Sequence, residues 1–469
     1  MDTLDILYRI NRWWNAGKVD EVFLFKKTRS EFQYINTLIN DKRILSLVGP
    51  RRVGKSTLLY QTIDKLIKSG IDPKKILFFS GDEPGLFSGK NTVSDIIEIY
   101  IKEIVQEKIE KLSSKVYILI DEIHFLDKWQ LYLKSYYDKR YNIKFVISGS
   151  SSTHLFHHSK ESLLGRIEEI FVLPLDFKQY TEFYAAYKDS GIIDDIPKLD
   201  NTAQMLDNTE EYYQTLKSKY HYLKEYENSI NKMLKEYLLS GGYPEYFENQ
   251  NILIWQKRLV EDIITKGLYR DIVSIWNIKT PEILEKLMFF ISANQGQAFS
   301  FTSIAQTMGV DAVTISSYIN YLSQAFLIGV QENYSTNIGK VIRKNKKLYV
   351  IDNGIRNALL RVTNFEPSVE GQLIENCALH NVKLFADKNR YGVLYWRDTQ
   401  KEVDIVLDRK ANIIPIEIKY RNSIDTHDLK GLNSFMEKFN VPHGIVITKN
   451  LLKFEDRIYF IPFWMSSLG

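Results

Sequence analysis

The chain contains one cysteine, Cys377, which excludes a disulfide framework and any cysteine-based zinc cluster. Proline is scarce, at 11 of 469 residues, and no repeat or low-complexity tract is visible, so linkers should be short or helical. No apolar run approaches the roughly 20 residues needed to cross a bilayer, and no membrane-spanning helix is expected. The opening MDTLDILYRI has two early aspartates and no apolar stretch before a small-residue cleavage site. A signal peptide is therefore not expected, and a cytoplasmic protein is. An excess of one charge is also missing, with 62 Lys and Arg against 58 Asp and Glu. That balance excludes uniform, histone-like basicity, so any nucleic-acid surface must be a local patch.

What is present is ordinary globular material, 44% apolar and 26% charged. At roughly 100–200 residues per domain, the length suggests about three domains. From about Arg43 to Leu173 the apolar runs ILSLV, ILFFS, VYILI, KFVIS and IFVL alternate with amphipathic stretches. Short, wholly apolar runs of this kind predict a parallel sheet covered on both faces. From about Phe177 to Ile275 Tyr, Lys, Glu and Leu recur at helical spacing, broken mainly at SGGYPE. The early aromatics Trp13, Trp14, Phe23 and Phe25 are expected to pack on the sheet domain rather than to stack bases.

The segment Gly49-Pro50-Arg51-Arg52-Val53-Gly54-Lys55-Ser56-Thr57 fits the phosphate-loop pattern and lies between the strand ILSLV and an amphipathic helix. Its glycines let successive N–H groups face a phosphate, and the helix N-terminus adds partial positive charge. Lys55 can reach the β- and γ-phosphates of ATP, and Ser56 can coordinate Mg²⁺. The strand VYILI ends in Asp121 and Glu122, at the edge where α/β sheets place ligands. Asp121 would support the metal, and Glu122 would polarise the attacking water. Ser148 or Ser150, at the tip of KFVIS, could sense the γ-phosphate or hold the water. Arg166 could act as an arginine finger, in cis or from a neighbouring subunit of a homo-oligomer; the alternative is a salt bridge to Glu168 or Glu169.

These residues, with ILIDEIH, ISGSSS, LLGRIEEIFVLPLDFKQY, SGGYPEY, GLYRDIV, KKLYVIDNGIRNALL, GQLIENCAL, YWRDTQKEVDIVL and IPIEIKY, run in order from about Phe25 to Lys419. The chain thereby resembles a family of archaeal and bacterial predicted ATPases. The resemblance implies an α/β fold with an AAA-type P-loop core, placed over residues 1–176; the helical spacing of 177–275 reads as a helical lid or linker. A winged helix-turn-helix follows over 276–348 and a restriction-endonuclease-like α/β domain over 349–469.

In the last segment EVDIVLD and IPIEIK read as two strands, and alternation puts Glu417 and Lys419 on one face of the second. If the strands pair, Asp404, Glu417 and Lys419 converge, and Glu375 on the preceding helix could add a carboxylate. Glu402, two residues from Asp404, is an alternative ligand. The set is similar to the D…E-x-K core of restriction-type nucleases, with Glu375 in the place of their leading helix glutamate. It implies a second Mg²⁺ or Mn²⁺ site, used for cleavage or retained in a domain that only binds. His380, His427 and His443 have no metal-ligand spacing, and core or surface roles are expected.

SIAQTMGV and DAVTISSYINYLSQAFLI read as a helix-turn-helix closed by Gly309 and restarted at the N-cap Asp311. Thr314, Ser316 and Ser317 could touch DNA, although the start of that second helix carries no Lys or Arg. Basic residues come later: Lys340, Arg343, Lys344, Lys346 and Lys347, wing-like and suited to phosphates, or else a solvated charged hairpin. The sequence therefore reads as an Mg²⁺-dependent ATPase that controls a DNA-binding, or DNA-cleaving, C-terminal module. The alternative is a nucleotide-dependent switch or protein-remodelling ATPase whose C-terminal domains bind DNA or protein without cleavage.

Overall fold

The computed structural model describes residues 2–87, 91–149, 163–188, 206, 208–336, 345–409 and 412–468. They form two compact units, Met1–Leu173 and Pro174–Gly469. No helix among them is long and apolar enough to cross a membrane.

The first unit is built on five parallel strands, β1 (Ile44–Val48), β2 (Ile76–Ser80), β3 (Val116–Asp121), β4 (Ile143–Gly149) and β5 (Ile167–Phe171). Four of them coincide with the apolar runs ILSLV, ILFFS, VYILI and KFVIS, whereas β5 shares only Ile170 and Phe171 with IFVL and carries Glu168 and Glu169. β1 to β3 are buried almost throughout, as expected of strands covered on both faces. Their spatial order is β2-β3-β4-β1-β5. This order matters for the site, because it inserts β4 between the strand before the phosphate loop and the strand that ends in Asp121. Helix α1 (Lys55–Lys68) buries Leu58, Leu59, Ile63 and Leu66, an i, i+1, i+5, i+8 stripe turned to the sheet. Helix α2 (Trp129–Asp138) leads into β4. Trp13 and Trp14 pack inward as expected, each donating its indole N–H to the Ile76 carbonyl, at 3.1 and 2.8 Å.

The second unit opens with helices, among them α3 (Glu227–Ser240), which ends where Gly241 takes φ +78°. A side chain there would place its Cβ 2.1 Å from Asp352 Oδ1, so both the dihedral and the space call for glycine. The helix pair α4 (Phe301–Met308) and α5 (Ala312–Gln324) is joined through Gly309 at φ +70°. Asp311 caps α5 by accepting the Thr314 N–H at 2.8 Å.

The rest is a mixed sheet, nine-stranded among the described residues. Its strands are β6 (Ala298–Phe299), β7 (Ile328–Asn333), β8 (Lys346–Val350), β9 (Gly392–Asp398), β10 (Lys401–Asp408), β11 (Ile413–Lys419), β12 (Gly444–Thr448), β13 (Lys453–Glu455) and β14 (Ile458–Pro462). Helices α6 (Asn353–Leu360), α7 (Pro367–Asn389) and α8 (Lys430–Lys438) accompany it, and Leu432, Phe435 and Met436 of α8 enter the core around Trp396, Val403, Val406 and Val446. The expected boundary at residue 348 falls inside β8. There is no break at that point: β7 pairs in parallel with β9, through Glu332–Leu394 and Asn333–Tyr395, and makes one continuous sheet. Pairing satisfies the backbone groups that a free hairpin edge would leave open.

Candidate functional site

The phosphate loop leaves the buried end of β1 and turns into α1. Gly54 at φ +96° and Arg52 at φ +66° provide the left-handed turns. Gly49 is required by space: a Cβ there would lie 1.9 Å from the Val172 carbonyl oxygen. Val53 is wholly buried and anchors the loop's apex. Lys55 is buried too, and its ammonium donates to the Gly49 and Pro50 carbonyls at 2.9 and 2.8 Å, so the charge stays against the loop.

Asp121 ends β3 and is buried. Burial raises its carboxyl pKa, and the Glu122 charge adds to this; hydrogen bonds from Ser148 and Ser56, and the Lys55 charge, pull it back. Ser148 Oγ donates to Asp121 Oδ1 in a very short contact. Register explains the meeting, since Ser148 stands opposite Leu47 of β1 while Ile147 stands opposite Ile120 of β3. Ser56 at the start of α1, Asp121 and Ser148 are thus hydrogen-bonded into one group. Glu122 follows with its backbone at φ +46°, a conformation that non-glycine residues seldom adopt and that concentrates at functional sites. Its N–H is held by Ser148 Oγ at 3.2 Å, and its carboxylate lies 3.3 Å from His124 Nδ1. His124 was not singled out in the sequence, although ILIDEIH contains it. Ser150 lies outside the described residues.

The structure overturns the cis finger reading of Arg166. Arg166 precedes β5, and its carbonyl accepts the Ile44 N–H at 2.8 Å, at the start of β1. The strands are parallel, so Arg166 stands at the opposite end of the sheet from the phosphate loop, about 16 Å away at about 3.3 Å per residue. Its guanidinium grips Asp138 at 2.7 and 3.2 Å. Glu168 is taken instead by Arg43, at 2.7 Å.

Arg29 is the residue that the sequence concealed. It is 5% exposed and donates to the Val53 carbonyl at 2.7 Å and to the Leu173 carbonyl at 2.6 Å, while holding Glu31 at 2.9 Å. It therefore ties the apex of the phosphate loop to the chain leaving β5. Arg29→Ala would leave two carbonyls without this donor, at about 1–3 kcal/mol each. We expect ATP affinity to fall about tenfold in equilibrium titration, with the Lys55–Asp121 machinery itself unchanged.

In the second unit Asp404 and Glu417 do meet. β10 and β11 pair antiparallel, Ile405 opposite Ile416, and Asp404 Oδ2 accepts the Ile418 N–H at 2.8 Å. Lys419 lies 2.5 Å from Glu417 Oε1. Burial, then the Asp404 charge, push Glu375 up to about 7 and Glu417 up to about 8. Glu375, Asp404 and Glu417 are the expected metal set. Among the described residues no group of three or more His, Cys, Asp or Glu side chains is disposed to hold a metal ion. The ammonium of Lys347 stands among Glu402, Glu375 and Asp404. Burial works against its charge, but those carboxylates outweigh it and raise the Lys347 pKa.

The same finding corrects the basic cluster. Lys347 is 3% exposed and unavailable to a phosphate, and Lys346 pairs with Glu332 at 2.7 Å. Lys340, Arg343 and Lys344 lie outside the described residues. On α5 the Thr314 hydroxyl is turned back to Asp311 at 2.6 Å. His380 is a core residue, 3.2 Å from the Pro174 carbonyl.

Residues 41–181 match the family model of an AAA domain. That match supports an AAA-type ATPase for the phosphate-loop unit. Residues 231–366 and 370–465 match two domains of unknown function, DUF8612 and DUF4143. An uncharacterized protein of Methanocaldococcus jannaschii is 26% identical over 434 residues, 92% of this chain and 85% of that protein. An uncharacterized protein of Haemophilus influenzae is 24% identical over 411 residues, 86% of this chain and 90% of that protein. Among solved structures, the ORC2 protein of Aeropyrum pernix aligns with 78% of this chain and 99% of its own at 11% identity and a TM-score of 0.36. The Hsp104–casein complex of S. cerevisiae aligns with 67% of this chain and 52% of its own at 14% identity and a TM-score of 0.31.

Proposed function

We propose that the chain is an Mg²⁺-dependent ATPase that binds and hydrolyses ATP in its first unit and uses the nucleotide state to control its second. One observation carries the reading: β4 brings Ser148 between the phosphate loop and β3, so that Ser56, Asp121 and Ser148 share hydrogen bonds and Glu122 projects beside them. Asp121 and Ser56 are oxygen donors suited to Mg²⁺, which would neutralise charge developing on the phosphates. Gly49, Pro50, Arg51, Arg52, Val53, Gly54 and Thr57 would present the loop's backbone to the phosphates, with Lys55 supplying the charge. Glu122 would orient and deprotonate the attacking water, and Ser148 would hold Asp121 and the Glu122 backbone in register. Arg166 could serve only a nucleotide bound by a second copy.

For the second unit the target we favour is DNA, on the strength of the capped pair α4–α5 and its Gly309 turn. The test is ATP turnover with single-stranded, duplex and branched DNA at two salt concentrations. Stimulation of severalfold that fades at high salt is expected. Turnover indifferent to all three would leave the ATPase standing and point to a protein target.

A further inference from the structure

A second concentration of charge surrounds Lys347 on β8. Its Nζ lies 2.6 Å from Glu402 Oε1, 3.4 Å from Glu375 Oε1 and 3.6 Å from Asp404 Oδ1, with the Tyr395 ring centroid at 5.5 Å. The lysine side chain is 3% exposed while those of Glu375 and Glu402 are 30% and 29% exposed, so a buried ammonium sits beneath partly open carboxylates. Three carboxylates converging on one point are what a hard divalent cation seeks. Here that point already carries an ammonium on a short tether of strand.

The remaining carboxylate oxygens are largely spoken for. Glu402 Oε2 is 3.2 Å from Arg397 Nε, Asp404 Oδ2 accepts the Ile418 N–H at 2.8 Å, and Glu417 Oε1 holds Lys419 at 2.5 Å. Glu417 Oε2 is buried with no hydrogen-bond partner. Four acids, Glu375, Glu402, Asp404 and Glu417, are thus opposed by three bases, Lys347, Arg397 and Lys419. A divalent ion entering this site would face the Lys347 charge at contact distance and would have to displace it from a buried position. Lys347 reaches the cluster from within the same sheet: β8 pairs with β7, β7 with β9, and β9 with β10, the strand that bears Glu402 and Asp404.

We infer that Lys347 is a built-in cation that takes the place of a divalent metal in this cluster, so that the second unit engages its target without metal-dependent phosphodiester cleavage. The inference is independent of the ATPase reading. Its test is Mn²⁺ binding to the full chain without nucleotide, followed by the loss of the free-ion electron paramagnetic resonance signal. The chains compared are wild type, Asp404→Asn, Lys347→Met and the double variant. Any weak binding at the phosphate loop is common to all four and cancels.

Wild type and Asp404→Asn should bind Mn²⁺ alike. Lys347→Met should gain one further ion, at least tenfold tighter than any wild-type binding, and the double variant should lose it. The inference is overturned if Asp404→Asn weakens wild-type binding tenfold or more, or if folded Lys347→Met gains no ion. Should Lys347→Met fail to fold, wild type against Asp404→Asn and Glu375→Gln decides the matter. Plasmid cleavage by wild type with Mn²⁺ that Asp404→Asn abolishes would overturn it as well.

Discussion

Glu122→Gln should lower the turnover of ATP by roughly 100- to 1,000-fold, within the range expected for losing a positioned general base. The amide keeps the size and the backbone of Glu122 but cannot take a proton from water. The N–H contact to Ser148 Oγ at 3.2 Å is made by the main chain and survives the change, so the turn at φ +46° should persist. Binding of ATP-Mg²⁺ should therefore stay within about twofold of wild type, because Lys55, Ser56 and Asp121 are untouched. Steady-state phosphate release and equilibrium nucleotide titration together separate the two effects. Normal turnover in Glu122→Gln would remove the base assignment and move attention to His124 and Ser148. A loss of binding in parallel with turnover would mean that the substitution had disturbed the loop instead.

Asp352→Ala should destabilise the second unit by about 3–5 kcal/mol, from the loss of an acceptor shared by several buried N–H groups. Asp352 accepts the Gly242 N–H at 2.8 Å and the Ile355 N–H at 3.2 Å, capping α6 and pinning the glycine turn after α3. It is 5% exposed, and burial pushes its carboxyl up to about 6 despite those donors. The sign of the pH effect follows. Between about pH 4 and pH 6 the folded state holds this proton more tightly than the unfolded chain does, so its contribution to stability is lost as pH rises through that window. Urea unfolding of wild type against Asp352→Asn should show the difference moving against wild type from pH 4 to pH 6. A difference constant with pH would contradict the burial argument, and an Asp352→Ala chain as stable as wild type would contradict the packing.

The second case also explains part of what the sequence made legible. SGGYPEY and IDNGIRN stand out as separate motifs more than a hundred residues apart, and the structure joins them: Asp352 meets Gly242, and Asn357 donates to the Leu238 carbonyl at 2.9 Å. Their role is to hold the unit together. The phosphate loop was readable because every residue that shapes it is contiguous, from Gly49 to Ser56. Four of the five strands were readable because covered parallel strands are apolar almost throughout; β5, an outer strand with Glu168 and Glu169 and only Ile170 buried, shares just two residues with the run that marked it. Strand order was not, and it is strand order that brings Ser148 to Asp121. Arg29 escaped because its partners, Val53 and Leu173, are distant in sequence and are backbone carbonyls, which leave no trace in residue identity. Lys347 misled for a related reason: GKVIRKNKK reads as one basic run, but alternation along β8 turns Lys346 to Glu332 and Lys347 into the carboxylates. The position of Arg166 was open to reasoning, since a residue that precedes a parallel strand lies at the edge away from the ligand side.

The central claim is ATP hydrolysis in the first unit, and phosphate release from ATP-Mg²⁺ by the full chain tests it most directly, with Lys55→Ala alongside. Wild type should turn over ATP in an Mg²⁺-dependent manner, and Lys55→Ala should fall by at least about 100-fold, as expected when a charge-assisted phosphate contact is removed from a buried loop. Turnover by Lys55→Ala equal to that of wild type, or a folded wild-type chain that releases no phosphate from ATP with or without its second-unit target, would contradict it.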